Sequence, residues 1–147
     1  MQVNVHFNAE NDLDRFFEQG EEGEAAVGYL DNVINILNTN PFLAEDILND
    51  KYHREYSPPG PLGLQCKPIL SLQKQGIKVI RIRFDDGEVS DYRMIYAPIF
   101  EKQPNGSYHR EIYILAVINK KLDNFNYQPE HPITTRIIKD YEELHSN

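Results

Sequence analysis

Basic side chains recur through the second half of the chain, on or just after stretches rich in β-branched residues. Arg81 and Arg83 are two positions apart in one such stretch, so on a β-strand both side chains would leave the same face. Arg93 lies in the next stretch, and Lys120 and Lys121 directly follow the one after it. Guanidinium groups hold phosphate through paired hydrogen bonds. The spacing therefore predicts a positively charged sheet face suited to a phosphate backbone.

Two aromatic residues follow the lysines and extend the chemistry of this face. Phe125 and Tyr127 could stack on the bases of single-stranded RNA while the cations hold its phosphates. Cleavage of RNA without a metal also needs a base for the 2′-hydroxyl, a cation for the pentavalent phosphate and an acid for the leaving 5′ oxygen. Arginine is a poor base because its pKa is high, so a lysine with a lowered pKa or a tyrosine is the better proton carrier.

A purely structural interpretation accounts for the same residues. Arginines that alternate with apolar residues are typical of the solvated face of a strand. The carboxylates between positions 85 and 91 are close enough in sequence to pair with the arginines, and Phe125 and Tyr127 could simply cover a core.

Composition and charge limit the class of protein. The 147 residues correspond to one domain, and the 40% that are hydrophobic suffice for a core. The net charge of −8 argues against nucleic-acid binding by the surface as a whole. Residues 67–121, however, carry ten basic and six acidic side chains, so we expect a local positive surface on an acidic protein.

Several functional classes have no signature in the sequence. Cys66 is the only cysteine, which excludes an intrachain disulfide, and we expect a buried, apolar role for it. The histidines lack ligand spacing, and neither a phosphate-binding glycine loop nor a serine nucleophile elbow occurs, so we expect no metal and no cofactor. Without a signal-peptide pattern or an apolar run near the ~20 residues of a membrane span, we expect a cytoplasmic protein that does not enter membranes.

Hydrophobic periodicity predicts the order of the elements. Strands are expected at residues 2–7, 77–84, 91–100 and 111–118, with a shorter one at 69–72, and helices at 8–19, 22–37, 43–48 and 134–144. The proline-rich residues 49–65 predict a surface loop. We therefore predict a single α+β domain over residues 1–147, with an N-terminal strand and two helices, then a three- or four-stranded antiparallel sheet and a C-terminal helix. The helices would cover one face of this sheet.

The second half of the chain resembles the RelE/ParE superfamily of bacterial toxins from toxin–antitoxin pairs. The resemblance lies in the basic strand Lys78-Val-Ile-Arg-Ile-Arg-Phe84, in Asp91-Tyr-Arg-Met-Ile-Tyr96, and in Ile112-Tyr-Ile-Leu-Ala-Val-Ile118 followed by Asn119-Lys-Lys121. It covers about residues 77–121 and, more weakly, residues 122–144. The order of the predicted elements over the whole chain also fits the RelE-like fold.

The resemblance implies a toxin that cleaves mRNA at the ribosome without a metal and is held inactive by an antitoxin protein. The implied catalytic residues match the family's strand cations, its next arginine, its late basic residue and its late aromatic: Arg81, Arg83, Arg93, Lys120 or Lys121, and Tyr127. Lys78 and Phe125 would add contacts to RNA, and Phe125 is the alternative to Tyr127 as the stacking aromatic.

Other functions of the same fold stay open. The chain could be a non-catalytic binding module, either a ParE-like topoisomerase inhibitor or a regulatory or phage accessory protein, and its acidic first half could mimic nucleic acid. Residues 49–65 and 101–110 are insertions relative to a minimal member, and the family's strand lysines are arginines here, which favours phosphate binding over proton transfer. Homo-oligomerisation is a further option.

Overall fold

A five-stranded sheet forms the centre of the structure, a computed structural model that describes residues 2–146. The strands are β1 (Gln2–Val5), β2 (Leu64–Pro68), β3 (Ile80–Phe84), β4 (Tyr92–Lys102) and β5 (Tyr108–Asn119). Their order across the sheet is β1–β5–β4–β3–β2. β1 runs parallel to β5 and the other neighbours are antiparallel. The α+β class is confirmed, but the sheet has five strands rather than three or four and is mixed rather than antiparallel.

Three helices cover one face of the sheet. The helices of the chain are α1 (Phe7–Phe17), α2 (Glu21–Thr39), α3 (Pro41–Leu48), α4 (Leu70–Gln73) and α5 (Pro132–Leu144), and Pro61–Gly63 forms a 3₁₀ turn. α1, α2 and α3 share a core with the side chains of Tyr92, Met94 and Tyr96 on β4. The buried Tyr96 hydroxyl donates to the carbonyl of Ile47 at 2.7 Å, so α3 is fixed to the centre of the sheet.

The opposite face of the sheet is also partly covered, so the prediction that helices cover one face only is wrong. α5 and residues 120–131 pack there in a second core that includes Ile95, Ile118 and Ile137. The physical reason is that β5 is buried at every position from 114 to 119, which requires cover on both faces. This cover ends before β3, where Arg81 and Arg83 are only half-buried.

The segment before β3 differs most from the prediction. β2 forms at residues 64–68, at the end of the predicted loop, whereas residues 70–73 form α4 instead of a strand. β2 is held at its outer edge by the loop itself, because the amide of Cys66 donates to the carbonyl of Tyr52 and the amide of Arg54 donates to the carbonyl of Cys66, both at 2.8 Å. The proline-rich segment therefore packs beside the sheet edge and protects it from pairing with another chain.

Cys66 is fully buried within β2, as expected. Within residues 2–146, no helix combines the length and the apolar character needed to cross a membrane.

Candidate functional site

β3 and β4 place three arginines side by side. Arg81 and Arg83 leave the same face of β3, and the strand register sets Arg83 directly opposite Arg93 on β4. Residues opposite one another in an antiparallel pair have Cβ atoms about 4.5–5.5 Å apart, and like charges at such positions are destabilising. This placement of like charges does not stabilise the sheet, whereas a negatively charged ligand would reduce the repulsion between the two side chains.

Two further cations lie close to the arginines. Partial burial lowers the pKa of the Lys120 ammonium, and the positive charges of Arg93, Arg81, Arg83 and Arg54 lower it further. Burial also lowers the pKa values of Arg81 and Arg93, and the mutual repulsion of the guanidinium groups adds to this effect. We name this set the cation cluster: Arg54, Arg81, Arg83, Arg93 and Lys120.

The cation cluster has no carboxylate partner among the described residues. Within residues 2–146, none of its five members takes part in an ion pair. Asp91, a candidate partner in the sequence, instead lies 3.4 Å from the ammonium of Lys121. The ion pairs that the structural interpretation requires are therefore not formed in the described chain.

Several hydrogen-bond donors of the cation cluster are buried without an acceptor of normal geometry in the part of the chain that the structure describes. These donors are Arg81 Nη1, Arg83 Nε and Arg93 Nε. Arg93 is nevertheless fixed in position, because its Nη1 donates to the carbonyls of Ser90 at 2.6 Å and Tyr92 at 2.9 Å. A buried donor without a partner costs about 1–3 kcal/mol. The Tyr127 hydroxyl interacts with the Arg93 guanidinium, but no described residue accepts from these three donors in normal hydrogen-bond geometry.

Tyr127 lies against the cation cluster and brings a hydroxyl to it. Its ring centre is 5.6 Å from the Lys120 ammonium, and the buried hydroxyl has no hydrogen-bond partner of normal geometry among the described residues. Burial raises the pKa of the Tyr127 phenol, and this effect exceeds the opposing influence of Arg81 and Arg93. At neutral pH the hydroxyl therefore keeps its proton and acts as a donor.

The backbone of Tyr127 is held in an unusual conformation. Its φ of 60° lies in the left-handed region that non-glycine residues seldom adopt. Ser71 Oγ on α4 donates to its carbonyl at 3.1 Å, and the ring of Phe125 packs edge-on at 4.7 Å between centroids. A strained backbone conformation persists only where the surrounding contacts impose it, and such conformations are frequent at functional sites.

Three of the residues selected from the sequence lie away from the cation cluster. Phe125 is 4% exposed in the second core, so it supports Tyr127 but has no free ring face for a base. Lys121 is exposed and paired with Asp91. Lys78 is exposed and precedes β3, so it is not part of the strand face of Arg81 and Arg83. The structure thus brings together Arg81, Arg83, Arg93, Lys120 and Tyr127.

Arg54 was missed by sequence reasoning. It lies in the proline-rich segment, far in sequence from the other basic residues, and reaches them because that segment pairs with the edge of β2. The only signal in the sequence was that Arg54 is one of three basic residues in an otherwise acidic stretch from 1 to 66.

Two hollows border this part of the molecule. A pocket of about 300 Å³ opens beside Arg81 and Tyr127 and is bounded by residues 67–71. A larger groove of about 710 Å³ has an acidic wall that includes Glu21, Glu22 and Glu88. Because negative charge repels phosphate, only the smaller pocket suits a nucleic-acid ligand. Within residues 2–146, no three His, Cys, Asp or Glu side chains are placed together as metal ligands.

Comparison with known proteins adds nothing to this description of the site. No protein-family model, no curated protein and no solved structure matches the chain. The assignment of a function therefore depends on the chemistry of the site itself.

Proposed function

We propose that the cation cluster and Tyr127 bind the phosphodiester backbone of single-stranded RNA, and that the chain is a RelE-like toxin that cleaves mRNA at the ribosome. One observation carries this proposal. Arg83 and Arg93 stand directly opposite each other beside Arg81, and none of the three forms an ion pair within the described chain. An antitoxin protein would have to cover or neutralise this charge.

Guanidinium groups suit the charge that develops during RNA cleavage. The pentavalent phosphate carries more negative charge than the ground state, so fixed donors nearby stabilise the transition state more than the substrate. Arg93 is fixed by two backbone carbonyls, and its Nε has no acceptor of normal geometry among the described residues. Arg81 and Arg83 also have unbonded N–H groups. The donors are thus in place before the charge appears.

The two remaining groups fit the two proton transfers. In the proposed reaction the 2′ oxygen attacks phosphorus and the bond from phosphorus to the 5′ oxygen breaks, giving a 2′,3′-cyclic phosphate and a 5′-hydroxyl end. Lys120 takes the 2′-hydroxyl proton, because its lowered pKa increases the neutral fraction. Tyr127 gives its proton to the 5′ oxygen, because its raised pKa keeps the phenol protonated.

The direct test compares three proteins in growing bacteria: the wild type, Arg93→Ala and Arg110→Ala. Arg110 is a matched control because it is an exposed strand arginine paired with Glu45, outside the cation cluster. We expect growth arrest and mRNA cleavage with the wild type and with Arg110→Ala, and neither with Arg93→Ala. Equal growth and intact mRNA in all three cultures would remove the ribonuclease function.

A reaction with purified ribosomes and mRNA tests the chemistry. We expect cleavage to continue in the presence of EDTA and the new 3′ ends to carry a cyclic phosphate. Arg83→Gln is the preferred variant here, because Arg83 makes no side-chain hydrogen bond to the described protein and its loss should not disturb folding. Products with 5′-phosphate ends would contradict the proposed attack by the 2′ oxygen.

The acidic groove favours a second candidate, a binding module that inhibits a topoisomerase. Its wall of Glu21, Glu22 and Glu88 would suit a basic partner surface. Inhibition of supercoiling without RNA cleavage, lost in Glu21→Gln/Glu22→Gln but retained in Arg83→Gln, would support this function in place of the ribonuclease.

A further inference from the structure

His131 makes two hydrogen bonds that join the end of a loop to its beginning and to the next helix. It is the N-cap of α5, where its Nδ1 accepts from the amide of Ile133 at 3.1 Å. Its Nε2 lies 2.9 Å from the carbonyl oxygen of Asp123, eight residues earlier. A carbonyl can only accept, so Nε2 carries a proton and Nδ1 carries none. The two bonds therefore require a neutral imidazole in one defined tautomer.

These bonds close the segment that carries the groups of the proposed site. Residues 120–131 follow β5 without helix or strand of their own, and Asn124 and Tyr127 within them have left-handed φ angles of 47° and 60°. The ring of Phe125 packs edge-on against Tyr127 at 4.7 Å and against His131 at 5.1 Å between centroids. The orientation of the imidazole is thus coupled through Phe125 to the position of Tyr127.

Protonation of the imidazole is incompatible with this geometry. A protonated ring is a donor at both nitrogens, so an N–H at Nδ1 would point at the N–H of Ile133. The ring must then move, and the first turn of α5 loses its cap. His131 is only half-buried, so protons from solvent can reach it. Histidine is the side chain whose charge ordinarily changes between pH 5 and 8, so mild acid should release the segment.

The surrounding charges do not compensate a protonated His131. Within residues 2–146, no carboxylate forms an ion pair with it. The carboxylates that α1 and α5 bring to this region are already held by arginines, through the pairs Arg15–Asp123 and Arg136–Asp12. The titratable and charged groups of the segment, of α1 and of α5 that adjoin His131 are Glu130, Tyr127, Asp123, Arg15, Asp12 and Arg136.

His6 provides a comparison within the same chain. It caps α1 in the same way, since its Nδ1 accepts from the amide of Asn8 at 3.1 Å. Its Nδ1 also lies 3.7 Å from a carboxylate oxygen of Asp140. A protonated His6 would exchange its capping bond for an ion pair, whereas a protonated His131 has no such partner in the described chain. Of these two capping histidines, only His131 should lose its contacts in mild acid.

We propose that His131 is a positioning residue that holds residues 120–131 closed while its imidazole is neutral and releases them when it is protonated. This role goes beyond the proposed function and does not depend on it. The consequence for RNA cleavage does depend on it, because release would withdraw Lys120 and Tyr127 from the arginines. The proposed ribonuclease would then lose activity below about pH 6.

NMR of the histidine rings and amide exchange of the full chain test the two bonds directly. At pH ~8 we expect the Nε2–H tautomer for His131. A water-exposed histidine titrates near pH ~6.5, and the closed segment would not take the proton. We therefore expect the hydrogen-bonded amides of residues 120–135 to lose about tenfold in protection factor between pH ~8 and pH ~5.5, relative to those of α2.

Two substitutions separate His131 from the other titrating groups. Asparagine is a good N-cap that does not titrate, so His131→Asn should keep α5 capped and reduce the pH response of the segment to less than about twofold. His6→Asn is the matched control and should leave the response as large as in the wild type. In the cleavage assay, His131→Asn should keep a larger fraction of its activity at pH ~5.5 than the wild type keeps.

The possible results bear on separate claims. An Nδ1–H tautomer for His131, or equal protection of the segment at the two pH values, would overturn the proposal. A pH response that persists in His131→Asn would overturn it as well. Absence of RNA cleavage at every pH, together with the expected change in protection, would remove the proposed function and support the role of His131.

Discussion

Arg15 on α1 holds Asp123 through two parallel hydrogen bonds, from Nη1 to Oδ1 at 2.6 Å and from Nη2 to Oδ2 at 2.9 Å. Asp123 also accepts from the amide of Asn119, the last residue of β5, at 2.9 Å. The contact therefore fixes the start of residues 120–131, the segment that carries Lys120 and Tyr127. α1, which packs on the other face of the sheet, thus helps to position Lys120 and Tyr127.

Arg15→Lys should loosen this segment, because lysine cannot form the bidentate contact with Asp123. We expect faster hydrogen exchange of the amides in residues 120–131 and a lower rate of RNA cleavage, with KM little changed. The free energy of unfolding should fall by about 1–3 kcal/mol, since the mostly buried Asp123 loses at least one of the two hydrogen bonds that Arg15 donates to it.

Arg136→Lys is the control, because Arg136 makes a similar bidentate contact with Asp12, which is joined to the segment only indirectly, through the bond that Arg15 Nε donates to Asp12 at 3.2 Å. It should lower stability without selectively changing the exchange of residues 120–131. Equal effects of the two variants on exchange and cleavage would contradict a positioning role for Arg15.

Arg83→Gln should raise stability while it weakens RNA binding. The substitution removes one of two like charges that face each other across β3 and β4. We expect a gain of about 0.2–1 kcal/mol in the free energy of unfolding at low salt, measured by urea denaturation. The gain should shrink as salt screens the repulsion.

The same variant should change the salt dependence of RNA binding. Affinity for a single strand falls as salt rises, and each phosphate contact adds about 0.7 to the steepness of the plot of log affinity against log salt concentration. Loss of the Arg83 contact should therefore make this plot less steep by about 0.7. Arg110→Gln should leave this slope unchanged and should not raise stability, because Arg110 is already paired with Glu45. An unchanged slope in Arg83→Gln would show that Arg83 does not contact phosphate.

The pH dependence of cleavage tests the role of Lys120. A base must be neutral to accept a proton, so the rate should rise with pH towards the lowered pKa of Lys120. Lys120→Arg keeps the positive charge but cannot lose its proton in this range. We expect it to bind RNA normally and to cleave it about 10²–10⁴-fold more slowly, without the rising limb. Lys121→Arg, paired with Asp91, should behave like the wild type.

Cys66 should make stability decrease at high pH. Burial raises the pKa of its thiol from an ordinary value of 9.0 to about 12. The pKa of the thiol is higher in the folded chain than in the unfolded chain. The contribution of the neutral thiol to stability is therefore fully present below pH ~9. It is lost as the pH rises towards about 12, because the unfolded chain gives up this proton at a lower pH than the folded chain does.

The comparison with Cys66→Ala isolates this effect from the titration of other groups. The stability difference between wild type and variant should narrow as the pH rises above ~9. Native protein should also resist alkylation at pH ~8, since the reactive thiolate is not populated. Rapid alkylation of the folded chain would show that the thiol is neither buried nor raised in pKa.

The sequence determined those features that depend on neighbouring residues. The period of two along residues 80–84 set Arg81 and Arg83 on one face, and the same period along β4 set Tyr92, Met94 and Tyr96 towards the helices. The α+β order followed from the change between helical and strand periods. Local backbone geometry fixes these directions, so no knowledge of distant contacts was needed.

Only the tertiary structure decided what surrounds those side chains. It brought Arg54 to the cation cluster through the return of the proline-rich segment, buried Phe125, and left the arginines without the carboxylates that neighbour them in sequence. These outcomes depend on which strands pair and which segments cover them. Such contacts join residues far apart in the chain. Which of them form depends on the free energies of many alternative packings, and no local sequence pattern determines those.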